Sequence, residues 1–247
     1  MPKFFIEKEN ISGNYIYIYG DDVNHIRRVL RLKCGDNIIV CDGNGYDYDV
    51  RIECFEQEAV KTSIVSTSAN ISEPPVDVTL FQGIPKSDKM DFIIQKSVEL
   101  GVNRIIPVST ERTVVRIDSK KDAESKVSRW QRIALEAAKQ CNRGAIPQIS
   151  FPISYLESLD LAKQADLAII PYEKETGNGL RVLIKEKNIK KLSILIGPEG
   201  GFSEKEIENA IRYGINPVTL GPRILRTETA GIAVISILMY ELGDIGK

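Results

Sequence analysis

The 247-residue chain is poor in the residues from which several common sites are built. Its one histidine, His25, argues against a histidine-rich metal site and against a Ser-His-Asp arrangement. Four cysteines, Cys34, Cys41, Cys54 and Cys141, include no C-x-x-C pair, so free thiols in a reducing compartment are expected. Long apolar runs are missing too: the longest, Ala230 to Tyr240, is too short to span a bilayer, and Met1-Pro2-Lys3-Phe4-Phe5 lacks the apolar core of a signal peptide. A cytoplasmic protein with no membrane and no metal partner is the expectation. Charge of one sign is also absent, since the net charge is −1, so any affinity for nucleic acid rests on local patches. No internal repeat or low-complexity tract interrupts the chain.

What is present divides into two patterns. The first seventy or so residues read as short strands. Asn14 to Tyr19 alternates, and Asp42-Gly43-Asn44-Gly45 between Ile38-Ile39-Val40 and Tyr46 to Ile52 is a hairpin turn. Another strand runs from Val60 to Val65, and so many strands in so few residues suggest a small barrel. One helix is expected among them, Asp21 to Arg31, with Val23, Ile26, Val29 and Leu30 on one face and Arg27, Arg28 and Arg31 on another. Residues 1–73 hold 8 Lys/Arg against 12 Asp/Glu, so this positive cluster stands out; it serves either as a solvated face or as a phosphate contact.

Ser72-Glu73-Pro74-Pro75 marks a domain boundary, because two prolines hold the chain extended. Beyond it, strands at Val76–Phe81, Arg104–Val108, Gln148–Phe151, Leu167–Ile170, Leu192–Ile196 and Val218–Leu220 alternate with helices at Asp88–Leu100, Lys121–Cys141, Ser154–Gln164 and Gly179–Glu186. This alternation means an α/β domain on a mainly parallel sheet. Residues 74–145 carry 13 Lys/Arg against 9 Asp/Glu, the reverse of the first pattern.

The densest signal lies in Leu195 to Leu238. An apolar strand breaks into Gly197-Pro198-Glu199-Gly200-Gly201, and a helix follows with Ser203 and Glu206 as a capping box and Gly214 as its stop. A second strand, Val218 to Leu220, then leads through Gly221-Pro222-Arg223-Ile224-Leu225-Arg226 into a helix from Thr229 to Tyr240. Glycine-bearing loops at the carboxyl ends of parallel strands are where open α/β sheets bind ligands. Neither loop has a G-x-G-x-x-G or G-K-[ST] nucleotide signature.

These loops, IGPEGGFSEKEI and LGPRILRTETA, closely resemble the C-terminal half of the ribosomal RNA small-subunit methyltransferase E family. The likeness continues through HIRRVLR at 25–31, KSDKMDFIIQKSVELGV at 86–102, ERT at 111–113 and RWQRIALEAAKQCNR at 129–143. It implies a PUA-like RNA-binding β-barrel at 1–72 and an α/β SPOUT domain at 73–247, mainly parallel and tied in a deep trefoil knot. It further implies S-adenosylmethionine-dependent methylation of N3 of a uridine in 16S ribosomal RNA, on the small ribosomal subunit, by a homodimer.

By the same resemblance the methyl donor is held by Ile196, Gly197, Pro198, Glu199, Gly200 and Gly201 on the first loop. Leu220, Gly221, Ile224, Leu225 and Arg226 hold it from the second, and Pro171, Tyr172 and Glu173 complete the pocket. Contact with RNA falls to His25, Arg27, Arg28 and Arg31, to Lys86, Lys89, Gln95, Lys96 and Arg112, and to Gln140 and Arg143. Lys3 stands where an arginine is expected, keeping the charge but not the bidentate fork. The chemistry requires alignment, a proton acceptor and stabilisation of charge on the uracil carbonyl oxygens. Arg226 suits the last task; Glu99 and Glu228 are the candidate acceptors. A SPOUT transferase acting on transfer RNA or a ribose 2′-oxygen, and a non-catalytic RNA-binding assembly factor, stay open as alternatives.

Overall fold

The computed structural model describes residues 1–117, 119–184 and 188–246. The chain divides into two compact units, one of Met1–Glu73 with Ala138–Ile146, the other of Pro74–Ala137 with Pro147–Lys247. The segment 138–146 therefore groups with the first unit, although its sequence continues a helix of the second.

In the first unit, β1 (Lys3–Phe5), β2 (Ile11–Ser12), β3 (Tyr15–Tyr19), β4 (Asn37–Cys41), β5 (Tyr46–Phe55) and β6 (Ala59–Ala69) form one sheet in the order β1-β4-β5-β6-β3-β2. Only the β1–β4 pair is parallel. Strand alternation turns Ile16, Ile18, Ile38, Val40, Val50 and Ile52 into one apolar core. The β4–β5 turn closes as its residues dictate, with Gly43 and Gly45 at positive φ and the Asp42 carboxylate accepting from the Asn44 and Tyr46 N–H groups. Helix α1 (Asp21–Asn24) continues only as a π-helical turn, His25–Val29, closed by Leu30 N–H to the His25 carbonyl. The wider turn rotates later residues off the expected face, so Ile26 is buried but Val29 is 70% exposed.

Two cations expected at the surface are internal. The Lys3 ammonium lies 2.8 Å from Asp47 and 3.2 Å from the Asn142 carbonyl oxygen, with the lysine buried. Arg143, equally enclosed, is 2.7 Å from Glu73, whose carboxylate also accepts from the N–H groups of Gly144 and Ala145. Lys3 and Arg143, both expected at the RNA, thus make ion pairs within this unit, because a cation removed from water requires a fixed counter-charge.

The second unit is built on a wholly parallel seven-stranded sheet. Its strands are β7 (Asp77–Gly83), β8 (Arg104–Ser109), β9 (Gln148–Ile149), β10 (Ile153–Ser154), β11 (Leu167–Pro171), β12 (Lys191–Ile196) and β13 (Asn216–Val218). The order is β10-β8-β7-β12-β11-β13, with β9 also paired to β8. Helices α2 (Lys89–Glu99), α3 (Lys120–Gln140), α4 (Tyr155–Ala162), α5 (Leu180–Ile184), α6 (Glu204–Arg212) and α7 (Thr227–Glu241) connect the strands or follow the last one. Near-continuous apolar strands such as Leu192 to Ile196 are buried on both faces, as helix-covered parallel sheets require.

Three expectations shift. Strand β13 begins two residues early, because Asn216 to Val218 is what pairs with β11, and Leu220 falls in the loop. Strand β11 lies between β12 and β13, although those two strands are consecutive in the chain. Helix α7 begins at Thr227, immediately after Arg226 in extended conformation. Of the helix expected at 179–186, residues 185 and 186 lie outside the described residues.

The Lys3 pair makes an asymmetric prediction for urea unfolding. Asp47→Ala, which removes the ionic partner of an enclosed ammonium, is expected to cost about 3 kcal/mol, and adding Lys3→Met should recover a large part of that loss. Equal and additive losses would place Lys3 in an ordinary packing role.

Candidate functional site

The carboxyl ends of β11, β12 and β13 open into one cavity of about 500 Å³. Its walls are Pro171 to Glu173 after β11, Ile196 to Phe202 after β12, and Leu220, Gly221 and Arg223 to Thr227 after β13, with Lys89 and Ala230. A site beyond the carboxyl ends of parallel strands, of this volume and with mixed apolar and polar lining, has the form of a small-molecule pocket. All fourteen residues expected to hold the methyl donor line it.

Hydrogen bonds fix the loops to one another. The Thr227 hydroxyl, at the start of α7, donates to the Gly197 carbonyl at 2.6 Å and accepts from the Gln82 amide at 2.9 Å. Gln82 is wholly buried in β7, and its amide nitrogen also donates to the Gly83 carbonyl, which sets the side chain's orientation. Gly83 leaves room for the first loop: a Cβ there would lie 2.7 Å from the Pro198 ring and nitrogen. Gly197 is less confined, a Cβ there lying 3.1 Å from the Gly201 backbone, and Gly201 itself takes φ +64°.

The ERT segment supports the same loop. Glu111 accepts from the Ser203 hydroxyl, and the Glu111 N–H donates to Glu206, the second member of the α6 capping box. The Arg112 guanidinium donates to the Gly200 carbonyl at 2.7 Å, so this residue, expected at the RNA, braces the cavity wall.

At the rim the Lys89 ammonium sits 3.1 Å from Glu199 and 3.4 Å from Glu228. Burial works against ionisation of Glu199, yet its own N–H, the Lys89 ammonium and the Lys86 N–H together outweigh that and hold its carboxyl below the usual range. Lys89 is raised in turn, chiefly by its hydrogen bond to Glu199. Arg226 is exposed at the lip, and among the described residues it makes no ion pair.

Other candidates lie elsewhere. Glu99 ends α2, roughly 15 Å along the helix from Lys89, and pairs with Lys96, so it does not border the cavity. Gln95 is exposed on the same helix. In the first unit His25 stands edge-on to Phe4, Arg27 lies over the Phe55 ring and donates to the Glu56 carbonyl, and Arg28, Arg31 and Gln140 are exposed. The sequence reading missed Gln82, Gly83, Phe202, Thr227 and Ala230 as parts of this site. A signal for one was available: Gln82 is the lone amide of Asp77–Gly83 and directly follows the apolar Leu80-Phe81, where a buried polar group needs a designated partner. No group of three or more His, Cys, Asp or Glu able to hold a metal occurs among the described residues.

Residues 72–239 match the RNA methyltransferase domain family, and residues 18–53 match the RNA methyltransferase PUA domain family. The chain is 34% identical to ribosomal RNA small subunit methyltransferase E of Bacillus subtilis, over 98% of this chain and 97% of that protein. A crystal structure of ribosomal RNA small subunit methyltransferase E from Neisseria gonorrhoeae bound to S-adenosyl methionine is 34% identical, with a TM-score of 0.87 over 99% of both chains. A methyltransferase structure from Legionella pneumophila with bound cofactor SAM is 32% identical, with a TM-score of 0.87 over 98% of both.

The Thr227 bridge is testable without any ligand. Thr227→Val keeps the shape but leaves the Gly197 carbonyl and the Gln82 amide without their partner, and should cost about 1–3 kcal/mol in chemical unfolding, with faster hydrogen exchange across 197–202. Thr227→Ser should restore most of both; a valine variant as stable as the parent would show that the loops are held by other means.

Proposed function

The chain belongs to the ribosomal RNA small subunit methyltransferase E family, and from that premise we propose that it transfers a methyl group from S-adenosylmethionine to N3 of a uridine in 16S ribosomal RNA. The observation that carries the reading is the convergence of three strand-end loops on a single cavity, two of them joined through Thr227. The lining fits the donor: glycine backbone at 197, 200 and 201 permits close approach, Ile196, Leu220 and Leu225 offer apolar walls, and Glu173 and Glu199 offer carboxylates to a cationic group. When bound, S-adenosylmethionine supplies a methyl group on a cationic sulfur. In this reading the two turns lie within the deep trefoil knot of the SPOUT class.

The protein's own groups have three tasks. Apolar walls exclude water, which strengthens every charge interaction inside. Arg226, uncommitted at the lip, faces the negative charge that builds on a uracil carbonyl oxygen as N3 loses its proton. Glu228, in the first turn of α7 and held by Lys89, is the proton acceptor; Glu99 is too distant along α2 to serve. Lys86, Lys89, Gln95, Lys96 and Arg112 remain our candidates for contact with RNA in this unit, joined by His25, Arg27, Arg28, Arg31 and Gln140 in the other. The target base must leave its stack to reach the cavity, so the assembled small subunit in the cytoplasm is the substrate we favour.

A second copy of the chain is proposed to cover the apolar surface where α2 and α7 pack together. Phe92, Ile237 and Tyr240 are exposed there, at 46%, 44% and 63%. Sedimentation equilibrium should return a dimer for the parent and a monomer for Ile237→Glu/Tyr240→Glu; a monomeric parent would remove the proposal.

For the chemistry, Arg226→Ala should abolish transfer while calorimetry shows S-adenosylmethionine affinity nearly intact, and Glu228→Gln should lower kcat by about 10²-fold or more. Parallel losses of binding and turnover in Arg226→Ala would instead assign the arginine to holding the donor. Digests of ribosomal RNA from a deletion strain should lack 3-methyluridine.

A further inference from the structure

Strand β3 carries a feature that neither the core nor the methyl-donor site uses. Its inward residues, Ile16 and Ile18, are buried, while Tyr15, Tyr17 and Tyr19 all point to the outer face of the sheet. Tyr15 and Tyr19 are 41% and 52% exposed. The short β2 pairs only with Tyr15 and Ile16, so past that point Tyr17 and Tyr19 have a neighbouring strand on one side alone. On that side β6 sets Lys61 opposite Tyr17 and the small Ala59 opposite Tyr19.

The ring geometry fits a particular guest. The Tyr17 and Tyr19 rings lie 19° from parallel with centroids 6.5 Å apart. Alternate residues on a strand are separated by about twice the 3.4 Å residue rise, and bases in a stacked strand repeat at about 3.4 Å. Near-parallel rings at this spacing along one strand offer neighbouring stacking surfaces to successive bases. The Lys61 ammonium stands over the Tyr15 ring, 4.2 Å from its centroid, and 6.0 Å from that of Tyr17, a cation on the tyrosine face where the phosphate of a stacked nucleotide would pass. The Ser63 hydroxyl, opposite Tyr15, donates to Glu53, which leaves the Lys61 ammonium to the tyrosine rings.

We propose that the Tyr15-Tyr17-Tyr19 face, with Lys61, is a stacking platform for unpaired nucleotides of an RNA, bases packing on the tyrosine rings while Lys61 meets an adjoining phosphate. It rests on the reading of the protein as an RNA methyltransferase and adds to it a second place of contact, selective for single strands because a duplex has no free base faces to offer.

Full-length protein is titrated into a fluorescein-labelled oligouridylate of roughly twelve nucleotides, and into a labelled RNA duplex, with anisotropy as the readout. Tyr17→Ala/Tyr19→Ala should weaken single-strand binding about tenfold or more and leave duplex binding unchanged, whereas Tyr17→Phe/Tyr19→Phe should bind as the parent does. Lys61→Gln should reduce the slope of log affinity against log salt by about one. The proposal fails if the parent does not bind the oligouridylate, if the alanine pair binds it as well as the parent, or if the phenylalanine pair loses as much as the alanine pair. A change in sedimenting mass without a change in RNA affinity would make this face a contact between copies. Calorimetry with S-adenosylmethionine on the same samples separates the two readings: donor binding by the parent with no RNA effect in the variants overturns the platform alone, and absence of donor binding overturns the methyltransferase reading.

Discussion

The Thr227 hydroxyl, bonded to the Gly197 carbonyl on one side and the Gln82 amide on the other, is the contact on which the site depends. A parallel sheet fixes where strands end but not how the loops beyond them lie. Here two loops that leave different strands, with β11 between them, are brought to one side chain that is itself anchored from a third strand, β7. The remaining braces act on the same stretch: Arg112 on the Gly200 carbonyl, Glu111 on Ser203, and Lys86 and Lys89 on Glu199. Each bond contributes only on the order of 1 kcal/mol net, but at the buried Gln82–Thr227 bond leaving a group unpaired costs more than making the bond gains. The centre of the arrangement is therefore held mainly by the penalty for any alternative, and the outer braces add to it.

Space is the second half of the same constraint. Pro198 and Gly197 come so close to Gly83 that a methyl group cannot be inserted, and Gly200 lies 3.1 Å from Arg112 at the point where its own Cβ would stand. The glycines serve the cavity in two ways: some free the backbone for a ligand, while Gly83 frees it for another part of the protein. Only the first use is visible in a loop motif.

That distinction explains what could be read from residues alone. The α6 capping box, the Asp42-to-Gly45 turn and the alternation of β3 are local, decided within a few residues by hydrogen bonds and periodicity, and they are where the sequence puts them. The members of the pocket were legible because the two loop motifs are specific to a family. The fates of individual cations were not. Lys3 meets Asp47 44 positions away, Arg143 meets Glu73 at 70, and Arg112 meets Gly200 at 88, and nothing near any of the three cations distinguishes an enclosed ion from a solvated one. The start of α7 was misplaced for a related reason: Thr227 looks like a loop residue until its hydroxyl is seen to be committed to Gly197.

These commitments alter how an RNA can be recognised. The chain carries a net charge of −1, and Lys3 and Arg143 are bonded within the protein, as are Arg112 at the cavity wall and Lys89 at its rim. With no overall positive field, attraction to phosphate rests on local groups of exposed cations such as Arg28, Arg31 and Lys86. Phosphate contacts position an RNA without identifying it, so selection must come from groups that read shape and open bases through short-range contacts. For an enzyme whose target is one base in a long, highly charged polymer this is an advantage: weak attraction to every phosphate lets the protein leave wrong sites quickly, and residence time is gained only where a base is free to enter.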